Sequence, residues 1–299
     1  MATYNGAEFL DEQLASIANQ DWPHIDLWVS DDGSTDGTRA CLERWQRQWV
    51  KGSFFILEGP QQGYVENFRS LMANDAVEGA FVAFSDQDDV WDADKLSCAV
   101  RKLDEAGGGQ SAMYCGRTRL VDRFGAECGF SPLFVRKPCF ENAIVQSIGG
   151  GNTIVLNAAA HNLVRASALR TSFVSHDWWC YQIVSGAGGL VIYDPQAHIA
   201  YRQHGGNLIG ENQGWRARRK RLVALAEGRF AGWNSVNIAA LEQCGDLLND
   251  EGRRVLAGFR AVREAMLLRG TSRLWQCGIH RQSLPSNIAL YLAAFVGKL

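Results

Sequence analysis

Apolar residues along the first third of the chain follow two rhythms, a helical period and short continuous runs, separated by polar turns. Phe9, Leu10, Leu14, Ile17 and Ala18 fall on one helical face, and Asn5 with Glu8 before them reads as an N-cap and capping-box pair. Trp22-Pro23 ends that segment, and residues 25–30 read as a strand. A polar turn, DDGSTDGT, leads into a helix over 38–49; a strand over 53–57 and the loop 59–63 precede a helix marked by Val65, Phe68, Leu71 and Met72. Residues 80–84 read as a buried strand, SDQDDVW follows, and Leu96, Ala99, Val100 and Leu103 mark a fourth helix. Strand, polar loop and helix thus recur, which predicts an α/β fold with a mostly parallel central sheet flanked by helices. Ligands then bind at the carboxyl ends of the strands.

Beyond Gly107-Gly108-Gly109 the rhythm changes. Residues 113–121 read as a longer strand, 123–125 as a turn, 152–156 as a strand, 176–185 as a helix, and 190–193 and 199–202 as two strands. From Trp215 the chain reads as helical and opens with Arg216, Arg218, Arg219, Lys220 and Arg221; Leu222, Leu225, Leu241, Leu247, Leu248, Leu256, Phe259, Leu267 and Leu268 supply apolar faces.

Charge divides the chain at the same place. The formal net charge is -2, which removes any expectation of nucleic-acid binding. Yet residues 1–210 hold 16 Lys+Arg against 25 Asp+Glu, and residues 211–299 hold 14 against 7, so the two parts face different electrostatic tasks. At 299 residues and 46% hydrophobic composition, the chain is long and apolar enough for one large domain or two ordinary ones, and a disordered or fibrous chain is excluded. Eight cysteines without a CxxC pair argue against zinc ribbons and redox pairs and suit a reducing, cytoplasmic setting. The first residues carry no basic region or apolar run of a leader. The longest apolar run, 288–296, is too short to span a bilayer but could lie on one.

Four clusters carry candidate chemistry. Asp31, Asp32, Ser34 and Asp36 follow a strand, where carboxylates can accept from a base N–H or ribose hydroxyls; the plainer reading is an Asx turn. Asp86, Asp88 and Asp89 crowd three negative charges into SDQDD, an arrangement a hard cation such as Mg²⁺ or Mn²⁺ would relieve; the alternative is a solvated loop capping the next helix. In HDWW, Asp177 beside Trp178 and Trp179 could serve as a general base with the indoles supporting a sugar ring, or else as a helix cap before two core tryptophans. Arg202 and His204 end a strand and could contact phosphate or metal, while Gly150 and Asn152 sit in a glycine run that lets backbone approach a ligand.

Taken together, ATYNG, EFLDEQLASIANQ, VSDDGSTDGT, GYVENF, FSDQDDVWDADKL, GGGNTIVLN, HDWW and YRQHGGNLIG resemble the family-2 glycosyltransferases of the GT-A fold. The resemblance runs from residue 2 to about 210 and is strongest to the bacterial rhamnosyltransferase-like branch that builds O-antigen and other surface polysaccharides. It implies a catalytic domain over 1–210 and leaves 211–299 as a basic, amphipathic helical extension. Relatives carry several apolar residues ahead of ATYNG, so the first strand is expected to be truncated here. The resemblance implies that Thr3 and Tyr4 line the nucleotide pocket and that Asp32, with Asp31, binds base and ribose. Asp88 would be the principal metal ligand of a DxD-type motif, Asp86 would contact the ribose or a water near the metal, and Asp89 would assist. Asp177 matches the catalytic base, and His204 a further metal or diphosphate contact.

The implied reaction is inverting, Mg²⁺- or Mn²⁺-dependent sugar transfer from a dTDP- or UDP-linked donor, with dTDP-L-rhamnose favoured. The acceptor would be a glycan or a polyprenyl-diphosphate-linked sugar. Such an acceptor suits attachment to the inner face of the plasma membrane, with the extension docking on anionic lipid or pairing two copies of the chain. Two other classes remain: a nucleotidyl or phosphoryl transferase, which lacks a GxxxxGK[ST] loop here, and a non-catalytic metal- or carbohydrate-binding module, whose EF-hand spacing is missing.

Overall fold

The computed structural model describes residues 1–107, 109–204, 229–265 and 268–299. The domain boundary at 210 and the basic run from Trp215 to Arg221, with Leu222 and Leu225, lie outside the described residues.

The first sheet is parallel, in the order β1 (Ala2–Thr3), β2 (Leu27–Asp31), β3 (Phe54–Glu58). Between them run α1 (Leu10–Ala18) and α2 (Thr38–Gln48), and α3 (Tyr64–Ala73) follows. The next elements are β4 (Phe81–Ala83), β5 (Val90–Trp91), α4 (Lys95–Glu105), β6 (Ala112–Asp122) and β7 (Glu127–Phe130). Then come α5 (Phe140–Ala143), β8 (Val155–Asn157), α6 (Ala158–Ala168), α7 (His176–Gly186) and β9 (Leu190–Gln203).

The second sheet is mixed, in the order β4-β8-β6-β9-β5 with β7 on β6. Only β6 and β9 in it run parallel; β8 and β5 enter antiparallel. The amide of Ala2 donates to the carbonyl of Ser85 at 3.4 Å, joining the two sheets just where β4 runs into the SDQDD loop.

Side chains along β6 show how the sheet becomes a middle layer. Ala112 and Tyr114 join one apolar cluster with Leu10, Leu14, Val29, Leu42 and Leu103, while Met113 and Cys115 join another with Phe68, Trp179, Leu241 and Phe259. That alternation is the period-two geometry of a strand buried on both faces. Helices α1, α2 and α4 therefore cover one face, and α3, α6 and α7 the other. The second cluster continues into the C-terminal helices α8 (Arg229–Gln243), α9 (Asp250–Glu264), α10 (Leu268–Gln276) and α11 (Leu284–Phe295). Ile238, Leu241, Phe259, Leu274 and Leu290 are buried in it, so these helices share a core with the α/β layers.

Three local expectations are corrected. Asn5 does not cap α1: its φ is +47°, in the left-handed region that Asn tolerates, and its carboxamide accepts from the Thr35 amide at 2.8 Å. Residues 190–193 and 199–202 form one long strand, with register shifts against β6 between Gly116 and Arg119 absorbing Pro195. Asn152 lies in a 3-10 turn over Gly151–Thr153, and the strand begins only at Val155.

Candidate active site

The turn after β2 is held almost entirely by its own carboxylates. Asp31 is buried and accepts from the Thr3 hydroxyl at 2.9 Å, the Ser34 hydroxyl at 2.5 Å and the Ser34 amide at 3.1 Å. Asp32 reaches the other way and accepts from the amides of Gln61 and Gly63 at 2.6 and 2.8 Å, drawing the loop after β3 to the end of β2. Gly63 takes φ +91° to enter α3, a conformation that a side chain would strain. Thr3 is buried behind Asp31, whereas Tyr4 is exposed and its backbone exchanges two hydrogen bonds with the Gln87 carboxamide, at 2.8 and 3.1 Å. The first turn is thereby tied to the SDQDD loop.

That second loop is crowded. Asp89 is fully buried and accepts from the Asn152 carboxamide and from the Arg202 amide. Burial, with Asp88 and Asp86 beside it, pushes its carboxyl well above the usual range. Asp86 is pushed up to about 7 by burial first, then by the charges of Asp88 and Asp177. Beneath the loop, Lys95 is buried with its ammonium 3.1 Å from the Trp91 ring centroid; desolvation drives its pKa well down, against the pull of Asp89 and Asp86. Asp88 is partly open, and its Oδ2 lies 2.8 Å from His204 Nε2.

Arg202 braces this loop. Its guanidinium donates to Glu12 at 2.5 Å, to the Asp88 carbonyl at 3.0 Å and to the Arg123 carbonyl at 3.1 Å, and lies over the Phe9 ring. Asn152 is likewise committed to Asp89. The Gly150 carbonyl accepts from the Thr153 amide and hydroxyl, closing the 3-10 turn.

Asp177 sits in the first turn of α7, where the helix dipole favours a carboxylate, and accepts from the Ser147 hydroxyl at 3.2 Å. Its charge raises Asp86, and both raise the Tyr64 hydroxyl after burial has done so; His176 beside it packs with its ring centroid 5.4 Å from that of Phe84, which leads into the SDQDD loop. The two tryptophans are turned into the core. Trp178 donates to the Ala143 carbonyl at 2.6 Å; Trp179 is 0% exposed, donates to Ser167 and stacks on Phe173. The indoles are core, not a sugar platform.

Preceding Asp177, His176 is buried against Phe68 with ring centroids 3.7 Å apart, and neither ring nitrogen has a hydrogen-bond partner. Desolvation lowers its pKa to about 4. A Cβ at Gly151 would fall 1.9 Å from His176 Nε2, so the glycine run makes room for this imidazole.

Sequence reasoning missed Tyr64, Ser147, Lys95 and Glu12. Tyr64 in GYVENF, Lys95 in FSDQDDVWDADKL and Glu12 in EFLDEQLASIANQ lie within recognisable motifs, whereas Ser147 meets Asp177 only through a contact distant in sequence. An open surface cavity bounded by Arg69, Arg170 and Gln243 shares no residue with the carboxylate cluster.

A parallel half-sheet continued by a mixed one, with carboxylates gathered at strand ends, is the plan of the GT-A glycosyltransferases. The family model described as Glycosyl transferase family 2 matches residues 1–130. The chain is 29% identical over 236 residues to the dTDP-rhamnosyl transferase RfbG of Shigella flexneri, covering 74% of this chain and 78% of that protein. It is 32% identical over 230 residues to the putative teichuronic acid biosynthesis glycosyltransferase TuaG of Bacillus subtilis, covering 75% and 85%. Among solved structures, the mannosyltransferase PcManGT from Pyrobaculum calidifontis, in complex with GDP-Man and Mn²⁺, aligns with TM-score 0.52 at 18% identity, over 98% of this chain and 84% of that one, which confirms the fold. This chain belongs to glycosyltransferase family 2 and is a glycosyltransferase.

Proposed function

We propose that the chain transfers a sugar, L-rhamnose from dTDP-L-rhamnose, with inversion to a hydroxyl of a glycan or polyprenyl-diphosphate-linked acceptor in surface polysaccharide synthesis. Residues 1–210 form the catalytic unit in this reading. The observation that carries it is the packing of His176, the residue before Asp177 at the start of α7, with its ring centroid 5.4 Å from that of Phe84, which leads into the SDQDD loop.

Asp177 takes the proton of the acceptor hydroxyl as its oxygen attacks the anomeric carbon. The bond from that carbon to the diphosphate breaks, its electron pair leaves with the nucleoside diphosphate, and the configuration inverts. Ser147 orients the base through its hydrogen bond. In this reading Thr3 and Tyr4 line the nucleotide pocket, Tyr4 being exposed, and Asp32, with Asp31, binds base and ribose beyond the donors each already holds.

The residues fit a hard divalent ion. Three crowded carboxylates, Asp86 pushed up to about 7 and Asp89 well above the usual range, gain from a cation, and Asp88 with His204 offers an O/N donor pair at the open edge. Asp88 and His204 would hold Mg²⁺ or Mn²⁺ with Asp86 nearby; the ion supplies neutralising charge to the departing diphosphate. Asn152 and Arg202 keep Asp89 and the loop in place.

Leu284, Ile288, Leu292 and Val296 recur along α11 and are exposed, Leu284 at 71% and Leu292 at 58%. No helix among the described residues is long and apolar enough to cross a membrane. This stripe, followed by Lys298, supports docking on an anionic cytoplasmic membrane face, where a lipid-linked acceptor would be met. Co-sedimentation with anionic but not neutral vesicles, reduced by Leu284→Ser with Leu292→Ser, is the expected result. Dimerisation without vesicle binding would reassign the stripe to a second copy of the chain.

The catalytic reading is tested with Asp177→Asn. Transfer should fall by about 10²–10⁴-fold with donor binding kept. Wild-type turnover in that variant would remove Asp177 from the base role. A panel of nucleotide sugars, read by donor hydrolysis, decides dTDP-L-rhamnose against UDP-hexoses. Release of diphosphate in place of the nucleoside diphosphate would instead indicate nucleotidyl transfer.

A further inference from the structure

On the far side of the acidic loop, three different donor side chains meet. Asp94 stands at the N-terminal boundary of α4 and Cys98 lies one turn on, so both project from one helix face. The pairing of β5 with β9, continued by the Asp92 amide donating to the His198 carbonyl at 3.0 Å, brings His198 onto that face. Asp94 Oδ1 lies 3.1 Å from His198 Nδ1, and Asp94 Oδ2 lies 3.4 Å from Cys98 Sγ. One donor atom from each residue falls within 4.8 Å of the others.

We propose that Asp94, Cys98 and His198 form a second divalent-metal site, of zinc type, that pins β9 to α4 and is separate from the sugar-transfer centre. Zinc–ligand lengths of about 2.0–2.3 Å in a tetrahedron require donor atoms about 3.3–3.6 Å apart; the contacts of the two Asp94 oxygens to His198 and Cys98 lie near that range, and small side-chain shifts would draw the full set, now within 4.8 Å, around one ion. The donor set selects the metal: one thiolate, one imidazole and one carboxylate suit Zn²⁺, whereas Mg²⁺ and Ca²⁺ take oxygen.

The outer face of the histidine supplies an independent observation. His198 Nε2 is buried without a hydrogen-bond partner and lies 3.8 Å from Asp194 Oδ2. Asp194 is itself fixed by the Tyr114 hydroxyl at 2.9 Å and the Lys102 ammonium at 3.0 Å. A metal on Nδ1 puts the ring proton on Nε2, facing Asp194, the carboxylate–histidine pairing that orients metal ligands. Cys98 loses its thiol proton to solvent on binding. Arg101 approaches the sulfur at 3.5 Å and must swing away or stack beside the thiolate. Asp94 is half-exposed, which leaves an entry path and a fourth position for water.

The test uses the purified full chain, stripped with chelator and titrated with Co²⁺. The expected result is one equivalent bound with a thiolate-to-cobalt charge-transfer band, displaced by Zn²⁺, with any Co²⁺ taken up by Asp88 and His204 adding no such band. Cys98→Ser should abolish the band, and Asp94→Asn and His198→Gln should weaken binding by about 10-fold or more. Asp88→Asn, in the transfer site, should leave the band unchanged. Absence of a band in folded wild-type protein, or a band that survives Cys98→Ser, would overturn the proposal. Should Cys98→Ser fail to fold, undiminished Co²⁺ binding by Asp94→Asn would overturn it equally, because that side chain is half-exposed and its loss spares the core.

Discussion

The chain turns twice on aspartates at the end of a strand, and the two turns behave in opposite ways. After β2, every carboxylate oxygen of Asp31 and Asp32 receives an amide or hydroxyl donor, so the charge is locally satisfied by the protein itself. After β4, Asp86, Asp88 and Asp89 crowd together within reach of the charge of Asp177, with the buried Lys95 ammonium beneath, and Asp86 and Asp89 are driven toward protonation. Nearly the same motif serves stability in one place and stored repulsion in the other. The repulsion is what a cation or an incoming charged ligand can release, at the expense of the empty protein's stability.

The sharpest way to break this contrast is to neutralise each turn. At pH 8, Asp86→Asn should raise the melting temperature of the metal-free protein, with about 4 kcal/mol as the ceiling set by the shift, while sugar transfer falls by at least about 100-fold. The same exchange at Asp31 should lower stability by about 1–3 kcal/mol, because an amide nitrogen would then face donors. Equal signs in thermal denaturation of the two variants would abolish the distinction.

Next in size is the pH dependence of His176. Its pKa is lowered to about 4 in the fold against about 6.5 in the unfolded chain, so between those values the unfolded state binds the extra proton. Stability is therefore lost as pH falls from about 6.5 toward 4, by on the order of 3 kcal/mol. His176→Gln should flatten that part of the denaturation profile; an unchanged slope would assign it elsewhere. Gly151→Ala, which drives a methyl into His176, should cost about 1–3 kcal/mol in urea denaturation and disturb transfer through the neighbouring Asp177. Smallest is Ser34→Ala, which removes one donor from the satisfied turn: about 1 kcal/mol of stability with kcat kept.

Much of the α/β frame was legible because helical and strand periods are local properties. Leu10, Leu14 and Ile17, and likewise Leu96, Ala99 and Leu103, are buried as their spacing predicts. Asn5 misled because the same residue type suits a helix cap and a left-handed turn, and only its partner, Thr35, decides. The strand at 199–202 looked separate from 190–193 because Pro195 interrupts it, yet a register shift against β6 carries the ladder through. The tryptophans of HDWW carried no sign of which way they face; the burial of both faces of α7 settled that.

Residue order alone determined which segments become strands and helices, where the acidic turns fall, and the family to which the chain belongs, since periodicity and motif spacing are written in one dimension. Tertiary structure decided what each aspartate does. A carboxylate's role depends on the donors, charges and solvent around it, and these arrive from elsewhere: Gln61 and Gly63 for Asp32, Asn152 and Arg202 for Asp89, Ser147 for Asp177. Electrostatic energy falls off with distance in space, not along the chain, so only the fold shows which donors and charges each carboxylate meets.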